Sequence, residues 1–154
     1  MVGKLTDQEI DTFLTKEQFG RLGCHRDGST YVVPISYVYD GTCLLGQTTL
    51  GLKIEMMRAN PEVCVEVDEI KDLTNWQSVI VKGRFEELIG IDAVNAMGLL
   101  IDKYGPEFHE MASTERQGRT ITPPRLDAEI APTVVYAIHI HERTGRFERS
   151  GAAE

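Results

Sequence analysis

Residues 19–48, FGRLGCHRDGSTYVVPISYVYDGTCLLGQT, decide the fold of this chain. The pairs Asp27-Gly28 and Asp40-Gly41 favour two-residue hairpin turns, because such turns need residues that accept a positive φ. The run between them, 29–39, is rich in Val, Ile and Tyr, which are typical of strands. We therefore predict an antiparallel meander of 19–26, 29–39 and 42–48. Pro34 lies inside the middle strand and predicts an edge, a bulge or an interrupted ladder.

Apolar periodicity and capping signals predict the remaining elements. Thr6 and Glu9 form a capping-box pattern that predicts an opening helix, whose apolar face carries Ile10, Phe13 and Leu14. The pattern further predicts helices over 51–60 and 91–104, strands over 62–68, 77–88 and 133–141, and a hairpin or tail over 143–149. About six mostly antiparallel strands, with helices inserted between them, predict a small, mainly β barrel with peripheral helices. The proline-containing segment 105–132 is predicted to be a long loop.

Composition restricts the class of protein. The length of 154 residues corresponds to a single domain, 1–154. The chain has 42% hydrophobic and 26% charged residues, a composition that is typical of soluble globular proteins. The net charge of −8 has the wrong sign for a general nucleic-acid or anionic-membrane binder, although a small anionic ligand needs only a few local cations. No stretch has the length of a membrane span or the pattern of a signal peptide, so we expect a cytoplasmic protein.

The three cysteines, Cys24, Cys43 and Cys64, are odd in number and contain no Cys-x-x-Cys spacing. This argues against a disulfide framework and against a cysteine zinc site, and it favours buried, reduced thiols.

The segment 46–53, GQTTLGLK, is the sharpest local signal for a ligand. A strand ends there, the hydroxyls of Thr48 and Thr49 follow, and Gly51 precedes a helix whose first turn carries Lys53. Free amides at a helix N-terminus bind phosphate, and hydroxyls and an ammonium add donors and charge. The spacing is not that of a Walker loop. Alternatively, a threonine only caps the helix and Lys53 is a solvated surface residue.

Other candidate residues carry weaker signals. His139 and His141 are two apart on a strand and face the same side, a geometry compatible with a metal, but no third ligand is near in sequence. We predict no metal site. Trp76, the only tryptophan, is either a core anchor or a stacking wall for a planar ring. No Ser-His-Asp order, zincin helix or Gly-x-Gly-x-x-Gly motif is present.

A set of short motifs, in order along the chain, carries a family resemblance. They are Val32-Val33-Pro34-Ile35-Ser36-Tyr37, Thr48-Thr49-Leu50-Gly51-Leu52-Lys53, Asn60-Pro61-Glu62-Val63, Asn75-Trp76-Gln77-Ser78-Val79 and Gly83-Arg84-Phe85. This combination resembles the pyridoxamine 5′-phosphate oxidase-like superfamily, and within it the short flavin-binding proteins that include nitroimidazole-resistance proteins. The likeness is clear over 19–88 and looser in the final strand.

The resemblance implies a six-stranded antiparallel split β-barrel that binds FMN as a homodimer, with flavins at the subunit interface. Its cofactor-binding residues would lie along the isoalloxazine (Val32, Val33, Pro34, Ile35), at the ribityl and phosphate end (Gln47, Thr48, Thr49, Lys53) and on a later strand (Trp76, Ser78). Deazaflavin or haem are the alternative cofactors. The histidine that many relatives have around 46–47 is missing, and so is a clear basic substrate-phosphate motif, so oxidation of pyridoxamine phosphate is not inferred.

Three function classes follow from this reading. The leading hypothesis is an FMN-dependent oxidoreductase that moves hydride or electrons between a nicotinamide-type donor and a small-molecule acceptor, with no catalytic side chain assigned. The alternatives are a non-catalytic flavin- or haem-binding carrier or sensor, and a scaffold that uses the barrel only for partner contact. Nucleic acid and membranes are not expected partners.

Overall fold

The computed structural model describes residues 1–106, 108 and 133–151. The strands are β1 (Val2–Lys4), β2 (Phe19–Arg26), β3 (Ser29–Ser36), β4 (Val38–Tyr39), β5 (Cys43–Thr49), β6 (Glu62–Asp72), β7 (Asn75–Leu88) and β8 (Thr133–Glu148). The helices are α1 (Asp7–Lys16), α2 (Leu52–Ala59) and α3 (Gly90–Tyr104). Most of the predicted loop 105–132 lies outside the described residues. Within them, no helix combines the length and apolar character that a membrane crossing requires.

The strands form one antiparallel sheet with the order β3-β2-β6-β7-β8-β5-β4, and β1 pairs with β8. β3 and β5 approach each other without being hydrogen-bonded neighbours, so the curved sheet stays open between them. Six long strands, two very short ones and three helices confirm the predicted split barrel with peripheral helices.

Both hairpin turns of the predicted meander form, but its middle strand is broken. β2 and β3 pair through the Asp27-Gly28 turn, where both residues have positive φ. The 29–39 run, however, breaks at Tyr37, and only β4 pairs with β5. Tyr37 is fully buried, and its N–H bonds the Tyr104 hydroxyl at 3.0 Å, so it leaves the ladder. β3 thus lies at the sheet edge, as Pro34 predicted.

The predicted hairpin or tail over 143–149 is wrong, because β8 continues as one strand of 16 residues through Gly145. This glycine is required by packing and not by a turn. A Cβ added there would lie 2.8 Å from Leu5 Cδ1 and 3.1 Å from Ile10 Cγ1. The backbone of β8 therefore passes directly under α1 and the segment before it.

The opening helix is confirmed in detail. Thr6 Oγ1 accepts from the Glu9 N–H at 3.2 Å, and the Glu9 carboxylate accepts from the Thr6 N–H at 3.0 Å. This reciprocal cap fixes the start of α1. Its predicted apolar residues, Ile10, Phe13 and Leu14, are all buried in the barrel core.

The C-terminal turn of α3 is tied to the barrel by a half-buried ammonium. Lys103 Nζ donates to the Tyr37 carbonyl at 2.9 Å and also to the carbonyl of Glu17, and it lies 4.4 Å from the centre of the Tyr37 ring. Tyr104 adds a hydroxyl that bonds the backbone of Gln18. Burial lowers the pKa of Lys103 to about 8.

We expect this half-buried lysine to give stability a measurable pH dependence. The unfolded chain keeps Lys103 protonated up to pH ~10.4, whereas the folded protein releases the proton near 8, so stability rises with pH between these values. The free energy of unfolding of the wild type relative to Lys103→Met should therefore increase by at most about 2 kcal/mol from pH 8 to pH 10. Urea denaturation at both pH values measures it. A difference that is constant, or that shrinks, would contradict the burial of the ammonium.

Candidate functional site

The turn between β5 and α2 has the form expected of an anion-binding site. Gly51 takes the N-cap position of α2, and no side chain caps the helix there. The cap residue therefore offers no side-chain oxygen to accept hydrogen bonds from the first backbone N–H groups of α2. The alternative, in which Thr48 or Thr49 caps this helix, is wrong: the Thr48 hydroxyl donates to the Thr49 carbonyl at 3.3 Å.

Lys53, in the first turn of α2, is only 6% exposed. The alternative of a solvated surface lysine is therefore wrong as well. Lysine is almost never buried to this extent unless its ammonium is paired. A lysine in the first turn of a helix whose N-cap is a glycine is a candidate for binding a phosphate together with the free amides.

α2 brings Lys53 towards the β2–β3 hairpin. The helix packs against β2. Burial raises the pKa of the Cys24 thiol on β2, and the positive charge of Lys53 acts in the opposite direction, so the ammonium is close enough to influence it. Cys24 lies opposite Tyr31, the residue before Val32. The structure thus places Lys53, the predicted phosphate ligand, near the start of β3, the strand predicted to line the isoalloxazine ring.

The four candidate residues of β3 divide between the two faces of the sheet. Val32 and Pro34 point outward, and Val32 is 61% exposed. Val33 and Ile35 point inward, and Ile35 is fully buried in the core. A contact between Ile35 and a ligand would therefore have to use its backbone, whereas Val32 and Pro34 present apolar side chains at an open edge.

The remaining candidates of β5 lie near the same opening. Thr48 is 2% exposed and faces inward, while Gln47 and Thr49 are half-buried and face the other way. Because β3 and β5 border the split of the barrel, these residues flank the gap to which Val32 and Pro34 also belong.

Trp76 and Ser78 are not brought to this opening within one chain. They lie on β7, which is three strands from β3 and two strands from β5, or roughly 14 Å and 10 Å at ordinary strand spacing. Trp76 Nε1 donates to Glu148 Oε2 at 3.1 Å, and Ser78 Oγ donates to Glu66 Oε1 at 3.1 Å. Trp76 is half-buried, so it is not a central core anchor.

The outward face of β6 holds a pair of carboxylates that our sequence reading did not single out. Burial raises the pKa of Glu66 to about 7, and Asp68 adds to the shift through its hydrogen bond with Glu66 and its negative charge. Arg21 lies 3.4 Å from Asp68 and 3.8 Å from Glu66 and partly offsets their charge. Glu66 can therefore hold a proton at neutral pH. Glu66 and Asp68 are two positions apart on one strand, which predicts that they share a face but not that they share a proton.

The two histidines of β8 face separate partners. His139 Nε2 lies 2.8 Å from Glu86 Oε2, and His141 Nε2 lies 3.2 Å from Glu62 Oε2. Among the described residues, no group of three or more potential ligands could hold a metal ion. Of the cysteines, Cys24 and Cys43 are buried as predicted, whereas Cys64 is exposed because it lies on the outward side of β6.

Comparison with known proteins places this geometry in a family. A family model described as pyridoxamine 5′-phosphate oxidase matches residues 6–147, which is most of the chain. The chain belongs to the pyridoxamine 5′-phosphate oxidase-like family. The resemblance drawn from the short motifs is thereby confirmed, including its extension into β8.

Three individual proteins illustrate the likeness. A FAD-binding protein from Mesorhizobium loti is 33% identical, with a TM-score of 0.73 and coverage of 97% of this chain and 98% of that one. An uncharacterised protein of Rhizobium meliloti is 29% identical over 96% of this chain and 95% of its own length. A candidate 5-nitroimidazole resistance protein from Bacteroides thetaiotaomicron shares the fold, with a TM-score of 0.70 at 17% identity and coverage of 96% and 87%.

Proposed function

We propose that this protein binds a flavin nucleotide at the split of its barrel and works as a flavin-dependent oxidoreductase on a small molecule. The observation that carries the proposal is the burial of Lys53 in the first turn of α2. The N-cap of this helix is Gly51, which has no side chain to occupy the first backbone amides. Family membership and the FAD-binding relative support it. A cytoplasmic location remains part of this proposal.

The residues at the opening suit the parts of a flavin nucleotide. Lys53 and the first amides of α2 provide charge and donors for the phosphate next to the ribityl chain. Thr49 and Gln47 are half-buried polar residues beside it. Val32 and Pro34 offer an apolar, exposed edge against which a planar ring can pack. When bound, a flavin supplies hydride transfer at its N5 atom, and the protein orients it and excludes water.

FMN is the cofactor that we propose, and FAD is its direct competitor. Both carry the phosphate that Lys53 would bind, so the proposed site does not separate them by itself. The Mesorhizobium loti relative is a FAD-binding protein. Parallel titrations with FMN and FAD decide between them.

We also propose a homodimer. Trp76 and Ser78 lie on β7, three strands from β3 and two from β5, so in this proposal a second copy supplies them to the site. An exposed apolar stripe on α3 supports association: Ile91 is 69% and Val94 65% exposed, while the buried residues of this helix are Ala96 and Leu100. Exposed apolar residues grouped on one face are typical of an interface.

Steady-state kinetics test the oxidoreductase proposal. The flavin-loaded protein should oxidise NADH or NADPH in the presence of a nitroaromatic compound, a quinone or oxygen, at a rate well above that of free flavin. The matched control is the same protein freed of flavin, which should be inactive. A protein that binds flavin but shows no turnover with any of these acceptors would instead be a non-catalytic flavin carrier or sensor.

A further inference from the structure

Three reactive side chains form a hydrogen-bonded row at the other end of β5. Cys43 Sγ lies 3.2 Å from His139 Nδ1, and His139 Nε2 lies 2.8 Å from Glu86 Oε2. The residues come from β5, β8 and β7, which are neighbours in the sheet. Cys43 is six residues from Thr49, roughly 20 Å along the strand, so the row lies outside the candidate flavin site.

The order of the three groups sets the role of each. The Glu86 carboxylate accepts a hydrogen bond from Nε2–H, which fixes the proton of a neutral imidazole on that nitrogen. Nδ1 is then an acceptor, and the Cys43 thiol is the donor that faces it. This is the arrangement of a nucleophile, a general base and a carboxylate that orients the base.

The surroundings keep the sulfur protonated at rest. Burial, with the negative charges of Asp40 and Glu86, raises the pKa of the Cys43 thiol, while a hydrogen bond from Thr42 opposes the shift. Proton transfer to His139 must therefore accompany any attack by the sulfur. Asp40 accepts from the Thr42 N–H and the Cys43 N–H, so its carboxylate is already engaged with the backbone.

Access to the row selects small reactants. The His139 and Glu86 side chains are 50% and 59% exposed, whereas Cys43 is 7% exposed and packs with Leu45, Ala96 and Ala137. A peptide or acyl substrate cannot approach a sulfur covered to this degree. A small oxidant such as hydrogen peroxide would have to reach it from the side of the exposed imidazole.

We propose that Cys43 is a base-activated thiol that hydrogen peroxide oxidises to a sulfenic acid, with His139 as the base and Glu86 as the positioning residue. The thiol proton moves to His139 Nδ1, the sulfur forms a bond to one peroxide oxygen, and the O–O bond breaks. The leaving hydroxide takes the proton from the imidazolium and becomes water. The sulfur loses two electrons and the peroxide gains two. The proposal does not depend on flavin binding.

The chain contains its own controls. Cys64 is an exposed thiol, and Cys24 is a buried one whose sulfur lies near the Tyr31 carbonyl and Met56. Among the residues that the structure describes, no histidine ring bonds either sulfur. His141 and Glu62 form a second imidazole–carboxylate pair on the same sheet, without a thiol. The rates of Cys64 and Cys24 show whether thiol reactivity follows exposure. Replacing His141 shows the effect of losing a histidine that has no thiol partner.

The experiment treats the reduced full-length protein with hydrogen peroxide, traps sulfenic acid with dimedone, and measures the modification rate of each cysteine by peptide mass spectrometry. We expect Cys43 to be modified faster than Cys64 in spite of its burial. His139→Asn, which retains a hydrogen-bonding group but is not basic, should slow modification of Cys43 about 100-fold. Glu86→Gln should slow it less, because the amide oxygen still accepts from Nε2–H. His141→Asn should leave it unchanged.

The opposite outcomes overturn the proposal. If His139 only packs against Cys43, its replacement loosens the site, and Cys43 reacts at the same rate or faster. If Cys43 is simply a buried core thiol, Cys64 is oxidised first in every variant. Circular dichroism and the melting temperature of each variant establish that the rates refer to folded protein.

Discussion

Replacing Lys53 with glutamine should lower the affinity for FMN about 100-fold while leaving the affinity for riboflavin unchanged. The factor corresponds to roughly 2.7 kcal/mol, within the range for removing one partner of a buried, hydrogen-bonded charge pair. Riboflavin has the same ring and ribityl chain but no phosphate, so it does not use the ammonium. Quenching of flavin fluorescence on titration with flavin-free protein measures both constants.

Arg58→Gln is the matched control for this prediction. Arg58 carries the same charge near the other end of α2, where it pairs with Glu87 on the surface. We expect its replacement to change neither FMN nor riboflavin affinity by more than about twofold, because exposed ion pairs contribute little. Equal losses of FMN and riboflavin affinity in Lys53→Gln would show that the residue supports the fold of the turn and does not bind phosphate.

The second large effect is expected from Gly83→Ala. This glycine lies at the irregularity where β7 changes register against β8. A Cβ there would be 2.6 Å from the His139 carbonyl oxygen and 2.6 Å from Ile138 Cγ2. A backbone carbonyl in a paired strand cannot rotate away as a side chain can. We expect the free energy of unfolding to fall by roughly 3 kcal/mol and the melting temperature by about 6–12 °C.

Gly98→Ala provides the comparison for this substitution. Gly98 lies in the exposed part of α3, and a Cβ there meets nothing within 4 Å. Because alanine favours the helix by about 1 kcal/mol, this variant should be as stable as the wild type or more stable. Urea denaturation of the two variants in parallel measures the contrast. Similar stability in both would contradict the close approach of β7 and β8 at Gly83.

The sequence predicted features of the fold that depend on local chemistry. The capping box of α1, the Asp27-Gly28 turn and the edge position signalled by Pro34 each need only a few neighbouring residues. Gly145 misled the prediction, because glycine at a turn and glycine under a packed helix look the same in sequence. The break at Tyr37 was also missed, since it depends on a hydroxyl 67 residues away.

In the candidate site, too, local features could be predicted from the sequence, whereas contacts between distant residues could not. The position of Lys53 at a strand–helix turn was readable, but its burial depends on how α2 packs against β2. The raised pKa of Glu66 depends on its burial and on the carboxylate of Asp68 beside it. The row of Cys43 and His139 joins residues that are 96 positions apart. Periodicity gives the face of a strand, but not which distant strand becomes its neighbour.

The most direct test of the central claim is the visible absorption spectrum of the purified protein, followed by titration of the flavin-free form with FMN. We expect a yellow protein, or a colourless one that takes up FMN with saturation at one flavin per chain, and heat should release the bound cofactor for identification. A protein that stays colourless and shows no saturable uptake of FMN or FAD would contradict a flavin site at the β5–α2 turn.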